Sequence, residues 1–223
     1  VSIFDVIGPV MIGPSSSHTA GAAKIGLLAR NVYHQSFKKV SITLYNSFAD
    51  TGPGHGTLQA LVGGLLGFSM DDERIPCALE IAKKEGIQFD FTFLEDPEKH
   101  PNYVTITIHQ DQQPPFYISG VSIGGGHAKI VDINHNKVEF SGKHNLLILE
   151  YRDICGMVGF VGDLLAKNNI NIAYMQISRD ANEERALAIL KLDAPVPCDL
   201  LDALKSKEGI HTAVAIPRWK EDL

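Results

Sequence analysis

The apolar pattern from Leu146 to Ile216 alternates between two periods in a fixed order, and that order constrains the fold more than any other feature of the chain. Leu146–Tyr151 reads as a buried strand, and Met157–Asn168 as a helix with Val158, Val161 and Leu165 on one face. Ile170–Ser178 alternates as a strand, Arg179–Glu183 is a polar hairpin loop, and Arg185–Leu192 is the returning strand. Cys198–Lys207 is a short helix and Ile210–Ile216 a last strand. A period near 3.6 marks a helix face and a period of two marks a half-buried strand. The result is βαββαβ, a ferredoxin-like unit of about 70 residues. Many functions use this topology, so function has to be sought in particular residues.

A boundary falls near Ser141-Gly142-Lys143, dividing the chain into segments 1–142 and 143–223. In the first segment Thr19–His34 forms a helix with Gly21, Ile25, Leu28 and Val32 on one side, and Ser15–Ser17 precede it as N-caps. Lys39–Tyr45 is a strand, followed by a turn at Asp50–Gly54. A second helix carries Leu58, Leu61, Val62 and Leu65, and a third runs from Glu73 to Lys84 with Pro76 in its first turn. From Gln88 onward five strand-like runs, Phe89–Leu94, Tyr103–His109, Phe116–Ile123, Ala128–Ile133 and Lys137–Phe140, are separated by proline, glycine or asparagine. The expectation is an α+β domain with helices on one side of a largely antiparallel sheet.

Composition excludes several classes. With 223 residues, 44% apolar and 21% charged, the chain has material for one large or two ordinary cores. A net charge of −6 argues against a nucleic-acid binder, which needs a basic surface. No apolar run reaches bilayer length and no basic segment precedes an apolar one at the start, so a cytoplasmic protein is expected. The three cysteines, Cys77, Cys155 and Cys198, lie far apart. That spacing is neither a disulfide framework nor a local metal site, so no metal ligand is expected in this chain.

Three segments pair a glycine-rich or helix-opening backbone with one histidine. The first is Gly13-Pro14-Ser15-Ser16-Ser17-His18-Thr19, at the start of the first helix. A helix N-terminus leaves N–H groups unpaired and partly positive, which suits carboxylate or phosphate. The serines add hydroxyls and His18 adds a group that moves protons near neutral pH. The plainer reading is a serine cap beside an incidental histidine. The second is Thr51-Gly52-Pro53-Gly54-His55-Gly56-Thr57 and the third is Gly124-Gly125-Gly126-His127, each of which by itself is a turn or a strand corner. Converging, the three make an anion pocket with several proton carriers. A zinc triad of these histidines is a weaker alternative, since glycine loops hold ligands poorly. No P-loop spacing is present, and no G-x-S-x-G elbow supports hydrolysis by a serine nucleophile.

Taken in order, these motifs resemble the beta segment of the iron–sulfur L-serine dehydratases, over roughly the first 140 residues. This segment is also similar to the allosteric substrate-binding domain of some phosphoglycerate dehydrogenases, and the remainder resembles an ACT domain. The resemblance implies an L-serine ammonia-lyase of serine catabolism, forming pyruvate and ammonia with a 4Fe–4S cluster as Lewis acid and without pyridoxal phosphate. The cluster ligands are expected on an alpha subunit, which this chain requires as partner. The resemblance gives Ser15, Ser16, Ser17 and Thr19, with Gly54 and Gly125, to substrate binding. His18, His55 and His127 become the catalytic set, with His18 the first choice for the base that takes the Cα proton. For the ACT segment it implies a homodimer and an amino-acid site at Asp153, Gly156 and Met157, with Asn169 and Asn171 as further contacts. Cys155 in that turn is expected to pack rather than sense redox state. The competing reading is a non-catalytic amino-acid sensor built from the same two segments.

Overall fold

A computed structural model describes residues 10–180 and 184–219, with the Asp180 side chain also outside the description. The chain divides into two units, Val1–Ser141 and Gly142–Leu223.

The first unit is built on six strands: β1 (Lys39–Tyr45), β2 (Gln88–Leu94), β3 (Tyr103–His109), β4 (Phe116–Gly124), β5 (His127–Ile133) and β6 (Asn136–Phe140). Their order is β2-β1-β3-β4-β5-β6, with β1 and β2 parallel and every other neighbour antiparallel. Alternation explains the placement: Val40, Ile42 and Leu44 on β1 and Val104, Ile106 and Ile108 on β3 are all fully buried. Parallel neighbours cannot be joined by a hairpin, so β1 reaches β2 through a long crossover. That crossover carries α2 (Ser47–Thr51), a 3₁₀ turn at Pro53–His55, α3 (Thr57–Leu65), a second 3₁₀ turn at Ile75–Cys77 and α4 (Ala78–Lys84).

Before the sheet comes α1 (Gly21–Tyr33), entered through a π-helical turn at Ser16–Ala20. Ile25, Leu28 and Val32 bury its predicted face, and Gly120 on β4 leaves room for Ile25, since a Cβ there would lie 2.7 Å from Ile25 Cγ2. Helices α1 and α3 meet through glycine. A Cβ on Gly26 would stand 2.3 Å from the Leu61 carbonyl oxygen, and one on Gly64 2.1 Å from that of Ala23. Two backbones come this close only where neither residue has a side chain. The third helix differs from expectation: Pro76 sits in a 3₁₀ turn, and the α-helix begins only at Ala78. A proline lacks the N–H needed to continue an α-helix through that point.

The second unit contains β7 (Asn145–Arg152), α5 (Met157–Lys167), β8 (Ile172–Asp180), β9 (Arg185–Leu192), α6 (Cys198–Lys205) and β10 (Ile210–Ile216). The sheet order β10-β7-β9-β8, antiparallel throughout, is the ferredoxin-like arrangement of an ACT-type domain. Leu147, Leu149, Met157, Val161, Leu165, Leu190, Leu200 and Leu204 form its core. Trp219 lies over Gly142, where a Cβ would be 2.3 Å from the indole, and the Trp219 backbone N–H donates to the Gly142 carbonyl at 2.9 Å. The expected loop over Arg179–Glu183 starts later, because Arg179 pairs with Ala186 inside β8. Its residues 181–183 lie outside the described residues. None of the described helices is long and apolar enough to cross a membrane.

Candidate functional site

The site grows from the first turn of α1. Ser15 is the N-cap: its Oγ accepts from the His18 N–H at 3.1 Å, while its carbonyl takes the Thr19 N–H at 2.9 Å. The following turn is wider than an α-helix, since the Gly21 N–H reaches back to the Ser16 carbonyl. The Ser17 carbonyl instead accepts the hydroxyl of Ser122 at 2.9 Å, from a side chain that is fully buried on β4. Gly21 makes room for this contact, because a Cβ would fall 2.1 Å from Ser122 Oγ. Single π turns of this kind recur at functional sites. Here the turn presents Ser17 and His18 toward the crossover.

The crossover answers with α2. Asn46, held at φ 52, anchors its start: the side chain accepts from the Asp96 N–H at 2.7 Å and donates to the Asp96 and Lys99 carbonyls at 2.8 and 3.2 Å. Phe48, buried, meets the His18 ring edge-on with centroids 5.3 Å apart. His18 Nε2 lies 3.0 Å from Thr51 Oγ1, 3.2 Å from Ser47 Oγ and 3.4 Å from the Ser47 carbonyl. Its Nδ1 lies 3.0 Å from Ser17 Oγ and 3.5 Å from Ser15 Oγ. Burial lowers the pKa of His18 below the ordinary imidazole value; the Ser47 carbonyl pulls it back up, and the charge of His55 lowers it further.

His55 is exposed and stands beside His18, ring centroids 5.4 Å apart. Its Nδ1–H donates to the Thr51 carbonyl at 2.8 Å. A carbonyl only accepts, so Nδ1 carries the proton and Nε2 keeps its lone pair. Gly56 at φ 72 turns the chain from the His55 turn into α3, and space for a Cβ is open at both Gly54 and Gly56.

The predicted residues therefore separate. Ser15, Ser17, His18 and His55 come together, and Ser16 supplies the carbonyl of the π turn. Thr19 is corrected from ligand contact to tether: it is 2% exposed and its hydroxyl donates to the His55 carbonyl at 3.2 Å. His127 heads β5, exposed, on the hairpin whose other strand carries Ser122, with Gly125 at φ 60 in the connecting turn. Sequence reading gave no role to Ser47, Thr51 or Ser122. The chain offered a signal only for Thr51, which stands in the second glycine motif.

In the second unit Gly156, φ 89, caps α5 beside Asp153, whose carboxylate pairs with Arg179 at 2.8 Å. Met157 is corrected to a core residue at 3% exposure, because the first turn of α5 faces the sheet. Cys155 is corrected in the opposite sense, being exposed. Asn169 and Asn171 follow the other end of α5, an 11-residue helix about 16 Å long, so in one chain they do not join the Asp153 turn. Asn171 donates to the Asp193 carboxylate at 2.9 Å.

Residues 2–133 match the family model described as serine dehydratase beta chain. The chain belongs to that family. It is 40% identical over 209 residues to the probable L-serine dehydratase, beta chain, of Bacillus subtilis (strain 168), covering 94% of each chain. It is 39% identical over 213 residues to the L-serine dehydratase, beta chain, of Peptoniphilus asaccharolyticus, covering 95% of this chain and 96% of the relative. Similarity extends to D-3-phosphoglycerate dehydrogenase of Bacillus subtilis, 27% identical over 173 residues, which are 77% of this chain and 33% of that enzyme.

Proposed function

We propose that this chain is the beta subunit of an L-serine ammonia-lyase and completes its active site against an alpha subunit carrying a 4Fe–4S cluster. The observation that carries the reading is the pairing of a serine-rich helix start with two imidazoles, one of which keeps an open nitrogen. Support also comes from the family and from relatives named as beta chains of L-serine dehydratase. This chain's own residues do not fit a cluster: among the described residues no three histidine, cysteine or acidic side chains gather as metal ligands, and all three cysteines are exposed and separate. The reading therefore places the cluster on the companion chain.

What the beta residues do follows from their geometry. The carboxylate of L-serine sits at the opening turn of α1, where backbone N–H groups lack helical partners. His55 Nε2 takes the Cα proton, replacing His18 as first choice because both nitrogens of His18 are engaged. Loss of that proton and of the β-hydroxyl as water leaves aminoacrylate, which hydrolyses to pyruvate and ammonia. His18, whose affinity for a second proton burial lowers, positions Ser17 and resists adding charge beside the incoming ammonium. The ACT-type unit is read as a homodimerisation and regulatory module, its exposed Val158 and Ile177, which share the helix-bearing side of the sheet, offering an apolar contact.

The test is to co-purify the chain with its alpha subunit, reconstitute iron and sulfide without oxygen, and measure pyruvate formed from L-serine. An intact cluster with no turnover refutes the reading. His55→Gln lowers kcat by roughly 10²–10⁴. The sensor alternative instead predicts tight L-serine binding by the isolated chain, which calorimetry measures.

A further inference from the structure

We propose that Thr51 is a positioning residue that fixes the proton on His18, and through it turns the Ser17 hydroxyl into a hydrogen-bond acceptor facing the substrate. The Thr51 Oγ1 lies 2.8 Å from the Ser47 carbonyl oxygen and 3.0 Å from His18 Nε2. A hydroxyl has one proton, and a carbonyl can only accept. The Thr51 proton therefore goes to Ser47, and a lone pair of Oγ1 faces Nε2. Two facing lone pairs would repel, so Nε2 carries the hydrogen and donates, with Thr51 its nearest acceptor and the Ser47 hydroxyl and carbonyl its longer contacts at 3.2 and 3.4 Å.

The consequence runs to the opposite side of the ring. With Nε2 protonated, Nδ1 of neutral His18 is bare, and it lies 3.0 Å from Ser17 Oγ. Ser17 donates its only proton there. What remains on Ser17 Oγ is lone-pair density, one portion of it within 3.3 Å of Ser15 Oγ. The row Ser17, His18, Thr51, Ser47 carbonyl is thus polarised in one direction and ends in the backbone. A polarised row presents an acceptor at its open end, which suits the ammonium of an amino acid, a charged group with three donors, better than the single neutral donor of a hydroxy acid.

Thr51 acts on both imidazoles by different atoms. Its hydroxyl sets His18, whereas its carbonyl holds the proton of His55 on Nδ1 at 2.8 Å. The two rings are therefore held in opposite tautomers 5.4 Å apart. Removing the hydroxyl should release only one of them, which supplies an internal control.

The assignment of the acceptor to an ammonium rests on the lyase reading; the tautomers do not. The full chain, labelled with ¹⁵N-histidine, is titrated by NMR, with His18→Gln and His55→Gln used to assign signals. His18 is expected as a single Nε2–H tautomer and His55 as Nδ1–H. Thr51→Val, close in shape but without the hydroxyl, should turn His18 into a mixture of tautomers while His55 stays as it was. Thr51→Ser should restore the wild-type pattern. A wild-type His18 in the Nδ1–H form overturns the proposal, as does a Thr51→Val chain with an unchanged His18. Joint loss of both signatures in Thr51→Val, without rescue by serine, also overturns it by showing mere collapse of α2. In the assembled enzyme Thr51→Val should lower kcat/KM for L-serine about tenfold, the loss of one oriented hydrogen bond to a charged group. If the enzyme shows no lyase activity, the spectra still decide the tautomers.

Discussion

Replacing Gly64 with alanine isolates what holds the two histidine-bearing segments in place. The new methyl group would lie 2.1 Å from the Ala23 carbonyl oxygen and 2.6 Å from the Leu27 nitrogen, both backbone atoms of α1. Ordinary contact begins at 3.4 Å. The shortfall of about 1.3 Å cannot be relieved by rotating a side chain, so the helices must separate. Overpacking of this kind costs about 3 kcal/mol, and the better helix propensity of alanine returns about 1 kcal/mol. The net loss of about 2 kcal/mol lowers Tm by roughly 6 °C for a unit of this size.

Gly63 is the control, one residue earlier on α3. A methyl group there meets side-chain carbons of Ile75, Phe68 and Ala78 at 3.3, 3.4 and 3.7 Å, which is close to ordinary contact. Propensity then dominates, and Gly63→Ala should stabilise by about 0.5–1 kcal/mol. Thermal melts followed by far-ultraviolet circular dichroism read both variants. Equal stability for Gly64→Ala and wild type, or a shift of the same sign for both variants, would refute the backbone-contact argument.

Three other outcomes are expected. Folding lowers the proton affinity of His18, so the unfolded chain binds more protons between the folded and ordinary imidazole values. Stability is therefore full above that window and falls as pH drops through it, and His18→Gln should flatten this slope in urea midpoints taken from about pH 5 to about pH 7.5. Asn46→Ala removes three good hydrogen bonds to the 96–99 loop and leaves alanine at φ 52, a loss of about 2–4 kcal/mol by chemical denaturation. Ser122→Ala leaves the Ser17 carbonyl without its donor and costs about 1–2 kcal/mol, with Gly21→Ala in the same chain costing less than it does alone, because the hydroxyl it would strike is gone.

Strands were the most legible part of the sequence. β1, β3, β9 and β10 run over the residues their alternation marks, since a period of two needs only a few residues to declare itself. The helix carrying the serine–histidine motif was equally plain, because glycine and apolar positions share one face and serines precede it. Helix α2 was not. It has five residues, too few for a period to show, and its start depends on Asn46 adopting a positive φ that tertiary hydrogen bonds to residues 96–99 secure. Ser122 was hidden for a related reason: it is one serine in a nine-residue strand, and only the packing of β4 against α1 brings it to Gly21. Met157 misled because a helix start reads as a ligand site from sequence, whereas the sheet beneath α5 claims the side chain. Of the candidate site, the residue types were readable, and the partners that orient them were supplied by the crossover.

The clasp of Trp219 over Gly142 gives the intact protein a private optical signal. Trp219 is the sole tryptophan of the chain, and both partners of the clasp belong to the C-terminal unit. Indole emission excited at the red edge of absorption therefore follows the melting of that unit alone, while circular dichroism sums over both. Any offset between the two curves separates the stabilities of the two halves without cutting the chain.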